Sequence, residues 1–428
     1  MTDGAPGTWE PSEDQIRKAY LYLLGRMLVI RQEHIDRSGK GFAYNQIRYN
    51  PLGSADFVNP NFDVAYLEAW FAVDDQSSVL VEVPEVLGRY YTFQVLDEWG
   101  EVIVNINDRA TPSKPFGSFA LVKPGSNPPI PSAATRLELH SAKAKMLARI
   151  ELGDDPEGAV ALQHKFTANA IGQVTLPAPP EIPHFTNTDL LGAEIFDNLD
   201  DVLASAADVS PAAGRMQVLA HSIADHLAAD PEARAKSDRF LRGTVVPEFK
   251  RYALTESAPY VNHWVGGSSV GSYGGNYTLR SVANLVGIWA NTSEEVIYFV
   301  ASRDNAEQPL TGDGSYILHF PADRLPADAV DGYWSVILVS VPDYRVVPNS
   351  LHRYNFNSSS ALTYNNDGSL DLAVGPQPVS VVAESNWLPT EEGSPFCLTF
   401  RCYVPKPFVG SGRWAPPPVT RVDETIAR

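Results

Sequence analysis

Between residues 59 and 109 the chain reads NPNFDVAYLEAWFAVD and then VLVEVPEVLGRYYTFQVLDEWGEVIVNINDR, a dense set of polar and aromatic side chains for what must be short strands. Asp63 and Asp97 are two carboxylates that could divide acid and base work, as in glycoside hydrolysis, with Arg89 holding an anionic group. The structural alternative is that Asn61 and Asp63 hold a turn while Arg89 pairs with Asp97. Asn61, Tyr66, Trp70, Tyr90 and Arg109 supply flat apolar faces with polar tips, which suit a sugar or another polar small molecule. Asn276, Arg280, Trp334, Arg353, Tyr354 and Trp387 form a C-terminal counterpart, with Asn349, His352 and Asn386 nearby. Each of these is also an ordinary structural residue type.

Three further motifs are weaker. Gly267-Ser268-Ser269-Val270-Gly271 fits G-x-S-x-G, with Asp343 and His352 downstream. A nucleophile elbow passes directly from strand to helix, however, and here Ser272-Tyr273-Gly274-Gly275 intervenes. Glycines ahead of a helix also leave backbone N–H groups able to hold a carboxylate, with Arg280 one turn inside, and no Walker lysine follows to suggest a nucleotide. His221 and Asp225 have an i, i+4 spacing usable by a metal, but nothing supplies a third ligand at a recognisable spacing, so a solvated helix face is expected. Cys397 and Cys402 are five apart in FCLTFRCYV, and an odd spacing on one strand sends them to opposite faces, unable to bridge or to share a metal.

The elements that must position these residues follow from periodicity and punctuation. Residues 11–37 are the clearest helix, with Ser12 and Gln15 as a capping box ahead of Ile16, Ala19, Tyr20, Leu23, Leu24 and Met27. VLVEVP, RYYTFQVLDEW, EVIVNIND, SFALVKPG, RLELH and KAKMLARIEL read as strands, and Asp155-Pro156 starts a short helix. On the second strand Arg89, Tyr91, Phe93, Val95 and Asp97 share one face, while Tyr90, Thr92, Gln94 and Leu96 share the other; one face must be core and the other must be wet or line a cleft. LPAPPEIP is a stiff linker, Ala-rich helices run to about residue 254, and strands resume with EVIYFVASRD, GSYILHFP, GYWSVILVSV, a hairpin turning at Asp367-Gly368, and PFCLTFRCYVP. The expected fold is mainly β with helical additions: two tandem β-sandwich domains of jelly-roll type, 1–175 and 266–428, joined by a Pro-rich linker and helical connector at 176–265.

A chain of 428 residues that is 44% hydrophobic and 20% charged is globular. Acidic residues outnumber basic ones 51 to 33, and a net charge of −18 repels phosphate backbones and anionic lipid, so neither nucleic acid nor a membrane is an expected partner. The first residues are acidic where a secretory signal is basic, and no apolar run spans a bilayer, which points to a cytoplasmic protein.

The motifs PNFDVAY, GRYYTFQVLD and ALVKPG, followed by NYTLRSVANLVG, YILHFP, YWSVILV, NNDGSLDL, NWLP and FCLTFRCYVPK, resemble the bacterial proteins that pair a DUF1254 with a DUF1214 domain, both of unknown function. The family's usual Pro-Asn-Asn-Asp-Thr reads Pro60-Asn61-Phe62-Asp63-Val64 here. The resemblance implies two β-sandwich domains and says little of chemistry. The expectation from the residues is an enzyme without cofactor or metal, a hydrolase or lyase acting on a polar small molecule or glycoside in an inter-domain cleft. The alternative is a non-catalytic binding or assembly module, and a homo-oligomer stays open. A carboxyl of raised pKa in a cleft favours the enzyme, and an exposed aromatic platform without one favours binding.

Overall fold

Along residues 143–151, KAKMLARIE, every second side chain but Leu147 is charged and those between are apolar, and this period of two makes the segment a strand with two unlike faces. The computed structural model describes residues 9–53, 60–175, 178–267, 270–341 and 344–422. Its first sandwich comprises β1 (Arg48–Tyr49), β2 (Val64–Ala72), β3 (Ser78–Val83), β4 (Tyr91–Leu96), β5 (Val102–Ile106), β6 (Gly117–Val122), β7 (Thr135–Glu138), β8 (Lys143–Glu151) and β9 (Thr167–Ile171). One layer runs β1-β2-β8-β4-β5 and the other β7-β6-β3-β9. Between them lie Leu67 and Phe71 of β2, Val79 and Val81 of β3, Phe93 and Val95 of β4, Phe119 and Leu121 of β6, and Met146 and Ile150 of β8.

The second sandwich comprises β10 (Tyr260–Val261), β11 (Trp264–Gly266), β12 (Val296–Ala301), β13 (Tyr316–Phe320), β14 (Trp334–Ser340), β15 (Asn355–Asn357), β16 (Leu370–Gly375), β17 (Trp387–Pro389), β18 (Phe396–Tyr403) and β19 (Thr420–Arg421). Its layers run β10-β11-β12-β18-β14-β15 and β17-β16-β13-β19, closing on Trp264, Phe299, Leu318, Trp334, Leu372 and Phe400. Pairing is antiparallel apart from β6 with β7 and β16 with β17. The Asp367-Gly368 turn forms, with Asn365 N donating to Ser369 O at 2.9 Å, but the expected hairpin does not. Residues 361–364 stay irregular, and β16 pairs with β13 and β17 instead.

The helices are more than a connector. α1 (Glu13–Ser38) begins with the expected Ser12/Gln15 capping box, and α2 (Pro156–Gln163) is capped by Asp155. α3 (Leu199–Ala204), α4 (Ala213–Ala229), α5 (Pro231–Phe240) and α6 (Val246–Thr255) pack with α1 and α7 (Tyr277–Gly287) around one core that includes Leu24, Met27, Val202, Met216, Ile223 and Val282. α1 and α7 meet closely because Gly25 lacks a side chain: a Cβ there would stand 2.9 Å from Ser281 Oγ. The fold is therefore mainly β with helical additions. Neither face of the sheet β1-β2-β8-β4-β5 is free: its apolar face is the first sandwich's core, and its polar face is covered by α1 at one end and by the second sandwich at the other. No described helix is long and apolar enough to cross a membrane.

Candidate functional site

The polar face of the first sandwich meets the outer face of the sheet containing β12, β18 and β14. Register aligns Tyr66, Arg149 and Thr92 across β2, β8 and β4. Opposite them, Tyr298, Arg401, Ser335 and Asn357 align across β12, β18, β14 and β15. Asp63, only 3% exposed, sits just ahead of β2, and its Oδ1 accepts hydrogen bonds from Asn355 at 2.7 Å and Asn357 at 2.6 Å. Asn61 turns the chain by accepting from the Asp63 N–H at 2.8 Å, and it donates to the Tyr403 hydroxyl at 2.7 Å. Tyr333 stacks on Tyr403 with ring centres 4.2 Å apart, and Tyr90 meets both edge-on. The Tyr90 hydroxyl donates to Glu295 at 3.0 Å, and Glu295 also holds Asn107 and Arg109. Arg149 donates to Gln94 Oε1 at 2.6 Å and lies over the Tyr66 ring.

Burial sets the electrostatics. It pushes the Asp63 carboxyl above its ordinary range, although Asn357, Ser335, Arg401 and Asn355 all favour the charged form. Among the described residues Asp63 Oδ2 takes no hydrogen bond. Burial likewise raises the phenols of Tyr90, Tyr298, Tyr333 and Tyr403, so they remain protonated donors at neutral pH. For Arg149 burial works against the charge, and the phenols of Tyr66, Tyr298, Tyr403 and Tyr90 raise the guanidinium only as phenolates.

The residues named from the sequence divide between this interface and other places. Asn61, Asp63, Tyr66, Tyr90 and Arg109 are in it, and Tyr354 is at its edge, stacked on Phe62 at 5.4 Å. That contact gives the aromatic at the family's polar position an apolar role. Asp97 is elsewhere. β2 and β4 both run antiparallel to β8, so Asp63 before one and Asp97 after the other stand at opposite ends of the sheet, about 26 Å apart along it at ~3.3 Å per residue. Glycosidase carboxylates are at most about 9.5 Å apart, so these two do not form such a pair. Nor do Arg89 and Asp97 pair, since eight residues of extended chain separate them. Arg89 bonds Asp155 Oδ2 at 2.9 Å together with backbone carbonyls, whereas Asp97 bonds His140 Nδ1 at 2.8 Å.

Trp70 is buried against α1, donating to Asp36 at 2.8 Å. Asn276 caps α7, and Arg280 makes a bidentate pair with Asp208 at 3.1 Å within the helical layer. Trp334 belongs to the sandwich core, stacked on Phe400, while its neighbours Tyr333 and Ser335 face the interface. Arg353 bonds the Glu384 and Trp387 carbonyls, and Trp387 donates to Gly375 O, all away from Asp63. Ser268, Ser269 and Asp343 lie outside the described residues. The Gly-rich segment does hold a carboxylate, but the protein's own: Tyr273 N donates to Glu101 at 2.9 Å. Gly271, at φ 76°, passes so close to Asn291 that a Cβ would stand 2.7 Å from its carbonyl carbon. His221 pairs with Asp200, and among the described residues no cluster of three or more His, Cys, Asp or Glu could hold a metal. A cleft of about 400 Å³ by Arg37, Tyr44 and Asn45 lies apart from this chemistry.

Arg149, Glu295, Tyr298, Tyr333, Arg401 and Tyr403 were not among the residues the sequence singled out. Their signal is alternation: Lys143, Lys145 and Arg149 share one face of β8, and Cys397, Thr399, Arg401 and Tyr403 share one face of β18.

Comparison with known proteins adds family and fold. Residues 42–170 match the protein of unknown function DUF1254, and residues 295–407 match the protein of unknown function DUF1214. No curated protein matches. The crystal structure of the VPA0106 protein from Vibrio parahaemolyticus superposes with a TM-score of 0.67 at 18% identity, covering 96% of this chain and 100% of that one, a likeness of fold. An uncharacterised protein from Burkholderia cenocepacia aligns over 96% of this chain and 95% of its own at 12% identity, with a TM-score of 0.46. Asp63, Tyr66, Tyr90 and Arg149 fall inside the first match, and Glu295, Tyr298, Tyr333, Arg401 and Tyr403 inside the second. The chain belongs to the family of proteins that pair a DUF1254 domain with a DUF1214 domain in one polypeptide.

Proposed function

We propose that the interface between the paired domains is the active site of a cofactor-independent enzyme, a hydrolase or lyase, acting on a polar small molecule. The observation that carries this reading is Asp63: a buried carboxyl from one domain, oriented by Asn355 and Asn357 of the other and raised above its ordinary range. Elimination and hydrolysis both need one group to take a proton and another to give one. Asp63 is the exchanging carboxyl, and the protonated phenols of Tyr333 and Tyr403 are the donors beside it. Because each domain supplies half of the set, the reading also accounts for the pairing of the domains.

The test is to incubate the protein with a cell extract of polar metabolites and follow consumption by mass spectrometry. Wild type is expected to deplete a polar metabolite, and Asp63→Asn to slow this roughly 100-fold or more. The asparagine amide oxygen can still accept from Asn355 and Asn357, so the melting temperature should stay close to that of wild type. No depletion by wild type, or equal depletion by the variant, overturns the reading.

A further inference from the structure

Four strongly buried cations of this protein have carboxylate partners. Arg26 meets Glu98, Lys143 meets Glu33 and Glu98, Lys145 meets Asp36 and Glu68, and Arg280 meets Asp208. Arg149, only 4% exposed, breaks the pattern. Among the described residues no carboxylate lies within ion-pair distance of it, and its guanidinium donates only to neutral acceptors, Gln94 Oε1 at 2.6 Å and Trp289 O at 3.4 Å. A guanidinium has five N–H donors, so these two bonds leave capacity over. Isolated buried charge is costly, and natural proteins keep it where something else completes the pair.

What surrounds Arg149 suits an anion. Tyr66 lies under the guanidinium at 5.5 Å, and Tyr298 and Tyr403 are near enough to feel its charge. Tyr66 and Tyr298 are only partly buried although they stand where the two domains meet. A second guanidinium, Arg401, is beside Tyr298 in register, and the other acid of the interface, Glu295, is already matched by Arg109 at 2.9 Å. With the whole chain at −18, general attraction cannot concentrate an anion here, so recognition must be local.

We infer that the substrate or ligand of the inter-domain site is a small carboxylate, its charged end taken by Arg149 and its oxygens by the surrounding phenols. This rests on the proposed function and narrows it. A planar, singly charged group matches one guanidinium fork flanked by neutral hydroxyl donors. Among the described residues in register or in contact with Arg149 there is no lysine and no helix N-terminus, either of which a phosphate dianion would favour.

The test uses the full chain and matched probes: aliphatic, aromatic and sugar carboxylates, each against its uncharged counterpart, for example benzoate with benzamide and galacturonate with galactose. Binding is measured by calorimetry on wild type, Arg149→Gln, Arg149→Lys and Tyr66→Phe. At least one carboxylate is expected to bind tenfold or more tighter than its neutral counterpart. Arg149→Gln should erase that preference, Arg149→Lys should restore part of it, and Tyr66→Phe should weaken carboxylate binding while removing only one hydroxyl, which keeps the test valid if the glutamine variant does not fold. Neutral counterparts binding as tightly as the acids, a preference that survives both Arg149→Gln and Tyr66→Phe, or no carboxylate binding below about 10 mM would overturn the inference. Metabolite depletion that depends on Asp63 would still stand in each of those cases, so the narrower claim and the broader one fail separately.

Discussion

Replacing Lys143 with methionine is expected to destabilise the protein by about 3–5 kcal/mol, because it leaves the buried Glu33 carboxylate without a cation and Glu98 with Arg26 alone. The ammonium lies between α1 and β8, 2.6 Å from Glu33 and 3.3 Å from Glu98, with both carboxylates fully buried. Arg26, 3.6 Å from Glu98, would be the nearest remaining cation, and Tyr44 would remain as a neutral donor to Glu33. Methionine fills most of the lysine stem's volume, so the loss reports the charge and not a cavity. Urea unfolding at pH 7.5 should show a lower midpoint at an unchanged slope. A loss below about 1 kcal/mol would mean that solvent reaches this cluster and the pair is no more than a surface bridge.

Stability should also fall as pH rises through a definite window, and Glu98→Gln should remove the share of that dependence that Glu98 contributes, leaving the share of Glu101, which burial also raises to about 7. Burial is the main cause that raises the Glu98 carboxyl from 4.5 to about 7, against the pull of Arg26 and Lys143 and with help from Glu33. Between those two values the folded protein holds a proton that the unfolded chain has released. Stability from this group is therefore complete below pH 4.5, declines toward pH 7 and is level above it. At ~1.4 kcal/mol per pH unit the decline is on the order of 3 kcal/mol. Melting temperatures of the two proteins should nearly coincide at pH 4.5 and separate by pH 8, with the glutamine variant higher. A difference that does not change with pH would show that Glu98 is ionised in both states.

The elements were largely legible and the partners were not, for a physical reason. The capping box of α1, the Asp155 cap of α2 and the strand that carries Tyr90, Thr92 and Gln94 on one face all depend on spacing within a few residues. Lys143, Lys145 and Arg149 also announce themselves by alternation, but a charged face reads as a wet one. Only the fold shows that α1 covers the two lysines and that the second domain lies over the arginine. Trp334 illustrates the same limit. A one-residue phase separates a core indole from Tyr333 and Ser335 at the interface, and nothing local to the strand says which face meets another domain. Arg89 found Asp155, 66 residues on, because the chain returns there after β8.

The opposite placement of Cys397 and Cys402 gives β18 a labelling clock for each of its faces. Cys402 is packed in the sandwich core, whereas Cys397 lies with Ile337, Val339 and Phe62, on the side where the first domain docks. Burial raises both thiols, Cys397 to about 12, so a thiol reagent can react at either only after something opens. If the domains part before the second sandwich unfolds, Cys397 is modified first and Cys402 later, at the rate of global unfolding. If the chain comes apart in one step, both are modified together, so the order of reaction at two neighbouring thiols reports how independently the paired domains stand.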